Sequence, residues 1–126
     1  MKNYTVKNLG KWSGVQGKLF LAEELQLTGA QVSVQKLAPG EDAPFLHAHK
    51  THEEVYIIVS GHGDYQVDGE VIPVSEGSVV RVSPAGMRAL RNSGTEDMVM
   101  LCLQYEQRPI TTFMEDAIVS DASVRW

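Results

Sequence analysis

A chain of 126 residues holds one domain with one core and is too short for two ordinary ones; its 43% apolar and 21% charged residues are the usual balance of a globular domain, and it is long enough to fold without a disulfide or structural metal. A formal charge of −5, with Lys and Arg scattered, offers no basic surplus to neutralise phosphates, which argues against nucleic-acid partners. The opening MKNYTVKNLGKWSG lacks the apolar centre of a secretory signal, and no apolar run approaches the roughly 20 residues that span a bilayer, so the expectation is a cytoplasmic chain without membrane contact.

In chain order, NYTVK (3–7) has the pattern of a short N-terminal strand. LFLAEELQL (19–27) fits neither period, because Leu19, Leu21, Leu25 and Leu27 suit no single helix or strand face. AQVSVQKL (30–37) alternates strictly, with Val32 and Val34 on one face and Ser33 and Gln35 on the other. EVYIIVS (54–60) is β-branched and aromatic. DYQVDGEVIPV (64–74) reads as two strands joined at Asp68-Gly69, a pair suited to positive φ at both centres of a two-residue hairpin turn. SVVRVS (78–83) follows Glu76-Gly77, and an outward-facing charge is expected at Arg81. DMVMLCLQY (97–105) is the last strong strand. It carries Cys102, the only cysteine, which reads as a buried thiol behaving as a small hydrophobe. TTFMEDAIVSD (111–121) has room for one short helix, and the chain ends on Trp126, an aromatic expected to pack on something such as a second subunit. Strands at this spacing predict an all-β sandwich or barrel. Open barrel sheets have edges to cover, so a homodimer is expected, with either NYTVK or the aromatic tail doing so across a two-fold axis.

Three of the four histidines fall within six residues, at His47, His49 and His52, just ahead of Glu53 and Glu54. Residues two apart on a strand point to one side, so His47 and His49 can aim both imidazoles into one space. Four residues then separate His49 from Glu54, enough for a turn at 50–53 that returns a carboxylate from the next strand. Two imidazoles and a carboxylate form a ligand set that leaves positions open for water or substrate. The competing reading makes them solvated residues at a barrel rim. His52 and Glu53 are assigned to the turn, as reserve ligands, and His62 to the surface. Tyr56 and Ile58 share the parity of Glu54 and so either line the same pocket or belong to the core.

The stretch GEDAPFLHAHKTHEEVYIIVSG (40–61) resembles the first motif of the cupin superfamily, which runs Gly, His-x-His, three or four residues, Glu, six residues, Gly. The gap from Glu54 to Gly61 fits, and the first gap, from Gly40 to His47, is longer by one. GSVVRVSPAGMRALRN (77–92) matches the Gly, Pro-x-Gly and Asn of the second motif at Gly77, Pro84, Gly86 and Asn92. The resemblance covers 40–92 and implies an all-β double-stranded β-helix (a cupin, jelly-roll-like barrel) with at most a short C-terminal helix, as one domain over 1–126 in a small bacterial cupin. It also implies a divalent metal (Zn, Fe, Mn, Ni or Cu) on His47, His49 and Glu54. The family's further histidine is missing, because Arg88 or Ala89 stands at that place. Arginine stays protonated and has no lone pair to give.

The function implied is small-molecule binding at that metal, with dioxygenase, isomerase or decarboxylase chemistry on a small acidic or sugar-like substrate. The alternative is a non-catalytic metabolite-binding or sensor cupin, with or without metal. Arg88 and Tyr56 are the expected ligand-binding residues. Pointing inward, Arg88 would hold a carboxylate or phosphate; pointing outward, it would pair with Glu96 or Asp97.

Overall fold

The computed structural model describes residues 2–126, and among them eight strands form two antiparallel sheets with almost no helix. They are β1 (Lys18–Phe20), β2 (Gln31–Leu37), β3 (His52–Ser60), β4 (His62–Val67), β5 (Glu70–Ser75), β6 (Val79–Val82), β7 (Arg88–Arg91) and β8 (Met98–Glu106). One sheet has the order β1-β2-β8-β3-β6 and the other β5-β4-β7. The main core draws on both sheets through Tyr56, Ile58, Tyr65, Val74, Val82, Met98 and Met100, so the sheets pack face to face. A second apolar cluster of Val15, Leu21, Val34 and Val99 covers the opposite face of the larger sheet. Both faces of β2 are therefore occupied. Val32 and Val34 serve the second cluster, while Ser33 and Gln35 line an internal cavity instead of meeting solvent.

The Asp68-Gly69 hairpin forms as expected, with φ of 49° and 84° joining β4 to β5. Pro73 is tolerated in β5 because that strand is at the edge of its sheet. Gly61 makes the tight link from β3 to β4 at φ 79°, and a Cβ there would collide with the Asp97 backbone. Asn92, 1% exposed, donates to the carbonyls of Leu37 (2.9 Å) and Glu96 (2.7 Å) and accepts from the Gly94 amide, which pins the turn after β7 to the end of β2.

Two open readings are resolved and two expectations corrected. LFLAEELQL fits no period because it divides: β1 ends at Phe20, and one helical turn, α1 (Ala22–Leu25), follows and closes on Gln26 at φ 59°. NYTVK pairs with no strand; it is exposed, tied by the Thr5 hydroxyl to the Leu25 carbonyl at 2.6 Å and by Lys7 to Glu24 at 2.9 Å. The segment TTFMEDAIVSD forms a single turn closed by Asp116 N–H to Thr112 O at 3.0 Å, with no apolar surface beneath it to propagate a helix. The first motif is not carried by two regular strands. Residues 42–47 run beside β7 with isolated bridges at Asp42–Arg91 and His47–Arg88, since Pro44 has no N–H to continue a ladder. The bend is shorter than 50–53, and His52 and Glu53 already belong to β3.

Candidate metal and ligand site

Backbone pairing places the cluster. His47 exchanges backbone hydrogen bonds with Arg88 (3.0 and 2.8 Å), and the His49 amide donates to the Pro84 carbonyl at 2.8 Å, so both histidines hang from the strand and turn of the second motif. Glu54 comes from β3, opposite Gln104 of β8 and Val82 of β6. One ligand atom each from His47, His49 and Glu54 lies within 4.8 Å of the other two. The two imidazole rings stand edge to face, 5.3 Å apart.

They open into a cavity of about 680 Å³, whose wall is the concave face of the larger sheet. Strand register arranges that wall in rows. Gln31, Gln104 and Glu54 form one row across β2, β8 and β3, and Phe20, Ser33, Cys102 and Tyr56 form the next from β1. Ile58 sits deeper in the core at 1% exposure. His52 approaches the cluster, its ring 6.0 Å from that of His49, but its nitrogens are taken by Gln104 Oε1 (2.6 Å) and Glu106 Oε1 (3.2 Å). Glu53 points outward to Arg81 and Tyr105. His62 begins β4 on the surface.

Glu54 is the hub. Its Oε1 accepts from the Tyr56 hydroxyl at 2.6 Å and from Arg88 Nη1 at 2.5 Å. Its Oε2 has only two longer contacts, Gln104 Nε2 at 3.3 Å and the Cys102 thiol at 3.4 Å. Burial pushes this carboxyl upward, but the Tyr56, Arg88 and Cys102 donors, with the His49 charge, outweigh it and hold it below the usual 4.5. The Cys102 thiol is pushed up to about 12 by burial and then by the Glu54 charge, so it stays protonated and serves as a donor. Tyr56 is raised above its ordinary value by burial, with Tyr65, Cys102 and Glu54 adding to the shift. His47 lies below the usual 6.5 because of partial burial; Glu54 opposes this, and His49 and Arg88 reinforce it.

Arg88 takes neither expected direction. It is fully buried, does not line the cavity and does not reach Glu96 or Asp97. Its Nε donates to Gly86 O (2.9 Å) and its Nη2 to Ser83 O (2.6 Å) and Pro84 O (3.3 Å), leaving Nη1 for Glu54. The guanidinium therefore fastens the Pro84-x-Gly86 turn to the back of the proposed metal ligand. Tyr56 lines the cavity. Cys102 and Gln104 were not among the residues singled out for this site. Period-two alternation of the last strand puts them on one face, but only the sheet order puts that face beside Glu54.

One nitrogen stands out. His49 Nε2 is buried and has no hydrogen-bond partner, although Glu54 Oε1 lies 3.4 Å away. An orphaned imidazole nitrogen aimed between a second imidazole and an ionised carboxylate suits a cation ligand.

The family model for the cupin domain matches residues 33–104. A cupin protein from Bacteroides fragilis superposes with a TM-score of 0.87 at 33% identity, covering 95% of this chain and 99% of that one. Two curated relatives match at 29% identity: an uncharacterized protein from Methanocaldococcus jannaschii, over 60% of this chain, and an oxalate-binding protein from Thermotoga maritima, over 54%. The chain spans 60% and 55% of the lengths of these two relatives.

Proposed function

The chain belongs to the cupin domain family, and on that premise we propose that it binds a small acidic or sugar-like molecule in the barrel cavity, at a divalent metal held by His47, His49 and Glu54. The orphaned His49 Nε2 carries this reading. A buried polar atom without a partner costs about 1–3 kcal/mol, and ligation to a cation removes that penalty. The donor states fit as well: His47 is biased toward the neutral imidazole and Glu54 toward the carboxylate, the forms that ligate. The cluster's three ligand atoms, all within 4.8 Å of one another, would hold such an ion once side-chain rotation draws them together. When bound, such an ion supplies a Lewis acid with open positions.

The chain's own residues prepare the site. Tyr56 and Arg88 hold Glu54 Oε1, which fixes the carboxylate and leaves Oε2 the freer oxygen. Outer partners of this kind orient a ligand and typically change metal affinity 10–100-fold when lost. The cavity volume of about 680 Å³ suits a small metabolite. Gln31, Ser33, Gln35 and Gln104 offer neutral hydrogen-bonding groups to hydroxyl or carboxylate oxygens, and the relative that binds oxalate favours an acid.

Elemental analysis of untagged protein, with calorimetric metal titration, tests the reading. About one divalent ion per chain is expected, with affinity lower by at least about 100-fold in a His47→Ala/His49→Ala variant. Unchanged affinity in that variant removes the hypothesis. A second reading rests on Arg88, which already neutralises Glu54: the cavity then takes its ligand without metal, through His47, His49 and Gln104. Protein that holds no metal, yet loses small-acid binding in the same variant, selects this second reading.

A further inference from the structure

Two glutamines on the cavity wall have their carbonyl oxygens already taken. Gln31 of β2 and Gln104 of β8 stand directly opposite each other, in the same row as Glu54. Both side chains line the cavity. The Ala22 amide donates to Gln31 Oε1 at 2.9 Å. Ala22 opens α1, so this bond satisfies one of the amides that a helix start leaves without an intrahelical partner. At Gln104 the donor is His52, whose ring Nδ1 lies 2.6 Å from Oε1. Because Gln104 Nε2 is turned to Glu54, the imidazole must supply the proton in that contact.

Neither amide can turn over without loss. Reversed, Gln31 would set its NH2 against the Ala22 N–H, donor against donor. Reversed, Gln104 would set its oxygen against Glu54 Oε2, acceptor against acceptor, where its Nε2 now donates at 3.3 Å. Each glutamine therefore turns NH2 toward the cavity and carbonyl toward the protein. Among the described residues no acceptor takes Gln31 Nε2, and Gln104 Nε2 keeps a second N–H beyond the one given to Glu54.

We propose that Gln31 and Gln104 form a donor pair that selects a carboxylate, so that the ligand of this cavity is a small acid and not a polyol, with His52 setting the polarity of the pair. This rests on the reading that a small molecule binds beside His47, His49 and Glu54, and it chooses between the two ligand classes left open there. Residues directly opposite on antiparallel strands have Cα atoms about 4.5–5.5 Å apart, so two neighbouring NH2 groups can meet the two oxygens of one carboxylate. A carboxylate accepts at both oxygens and has no proton to place. A sugar hydroxyl must also donate, and this row has no spare acceptor: both carbonyls are occupied and Glu54 belongs to the metal cluster. Ser33 and Gln35 lie in the rows beyond, and Glu41 and Asp42 are exposed at the rim. The neutral donors also account for an acid being held while the Arg88 guanidinium is committed to Glu54. His52 is then a positioning residue: its nitrogens reach Gln104 and Glu106, not the cavity ligand.

Glycerate titrated against glycerol tests this, on zinc-loaded and on metal-free protein, with binding read by calorimetry and the glutamine side-chain amides followed by nuclear magnetic resonance. Glycerate should bind at least about 10-fold more tightly, and it alone should move the Gln31 and Gln104 NH2 signals. Gln31→Met and Gln104→Met should each weaken glycerate roughly 10-fold or more, with bound zinc retained. His52→Leu should weaken it as well, and His52→Gln, which keeps an N–H for Gln104 Oε1, should restore most of the loss. Equal affinity for acid and polyol, no binding of the acid, or indifference to both glutamine substitutions overturns the proposal. So does a His52→Gln variant as impaired as His52→Leu, or acid binding that falls only in step with zinc. Zinc content in the same samples reports on the metal site separately, so a chain that holds zinc but ignores the acid refutes this inference and leaves the metal standing.

Discussion

Two adjacent glutamates on β3 have closely parallel partners and opposite surroundings. Glu53, on the outer face, is held by Tyr105 at 2.9 Å and Arg81 at 3.2 Å; Glu54, on the inner face, is held by Tyr56 at 2.6 Å and Arg88 at 2.5 Å. The side chains of the outer pair are 60% (Arg81) and 18% (Glu53) exposed, those of the inner pair 1% (Arg88) and 4% (Glu54). Strand alternation alone sends them to opposite sides. Water screens the outer pair, and the inner pair depends on its partners for every compensating interaction. The same Tyr–Glu–Arg triad is thus surface decoration on one face and the foundation of the candidate site on the other.

The largest effect should come from removing the inner cation. Arg88→Met leaves Glu54 as a buried, incompletely compensated carboxylate, and breaking such a pair costs about 3–5 kcal/mol, measurable by urea denaturation at neutral pH. The pH profile should change sign as well. In the wild type the Glu54 pKa is lowered, so its stabilisation is fully present above about 4.5 and is lost as pH falls through the depressed value. Without Arg88 the upward push of burial should prevail, so the variant should gain stability from this group as pH falls toward 4.5. A variant whose acid profile parallels the wild type would mean that Arg88 does not set the ionisation of Glu54.

A middle-sized effect is expected at Tyr56. Tyr56→Phe removes one charge-assisted bond to Glu54 and nothing of the ring packing against Tyr65, whose centroid lies 4.8 Å away. The expected loss is about 1.5–3 kcal/mol, read by the same denaturation series. The smallest effect belongs to the outer face. Arg81→Ala should leave the unfolding midpoint unchanged within error, because the pair is exposed and Tyr105 still holds Glu53. A loss at Arg81 as large as that at Arg88 would break the comparison, since burial would then not be what separates the two triads.

The local signals were legible in the sequence because they depend on neighbours in the chain. Alternation marked β2, β-branched and aromatic residues marked β3, an apolar run marked β8, and Asp68-Gly69 marked a hairpin, through the left-handed backbone that both residues adopt. The His-x-His and the following glutamate placed three candidate ligands within eight residues, and the cupin motifs around them placed the barrel. What tertiary structure alone decided are the contacts between residues far apart in sequence. The order β2-β8-β3 brings Cys102 and Gln104 to Glu54, some fifty residues away along the chain. The polar side of β2 faces a cavity because both faces of its sheet are covered. Arg88 turns toward Glu54 because the carbonyls of Ser83, Pro84 and Gly86 cradle its guanidinium from behind. The physical reason is that side-chain parity follows from the backbone of a single strand, whereas the partner of an inward side chain depends on which strands pair and at what register, and those are properties of the whole sheet.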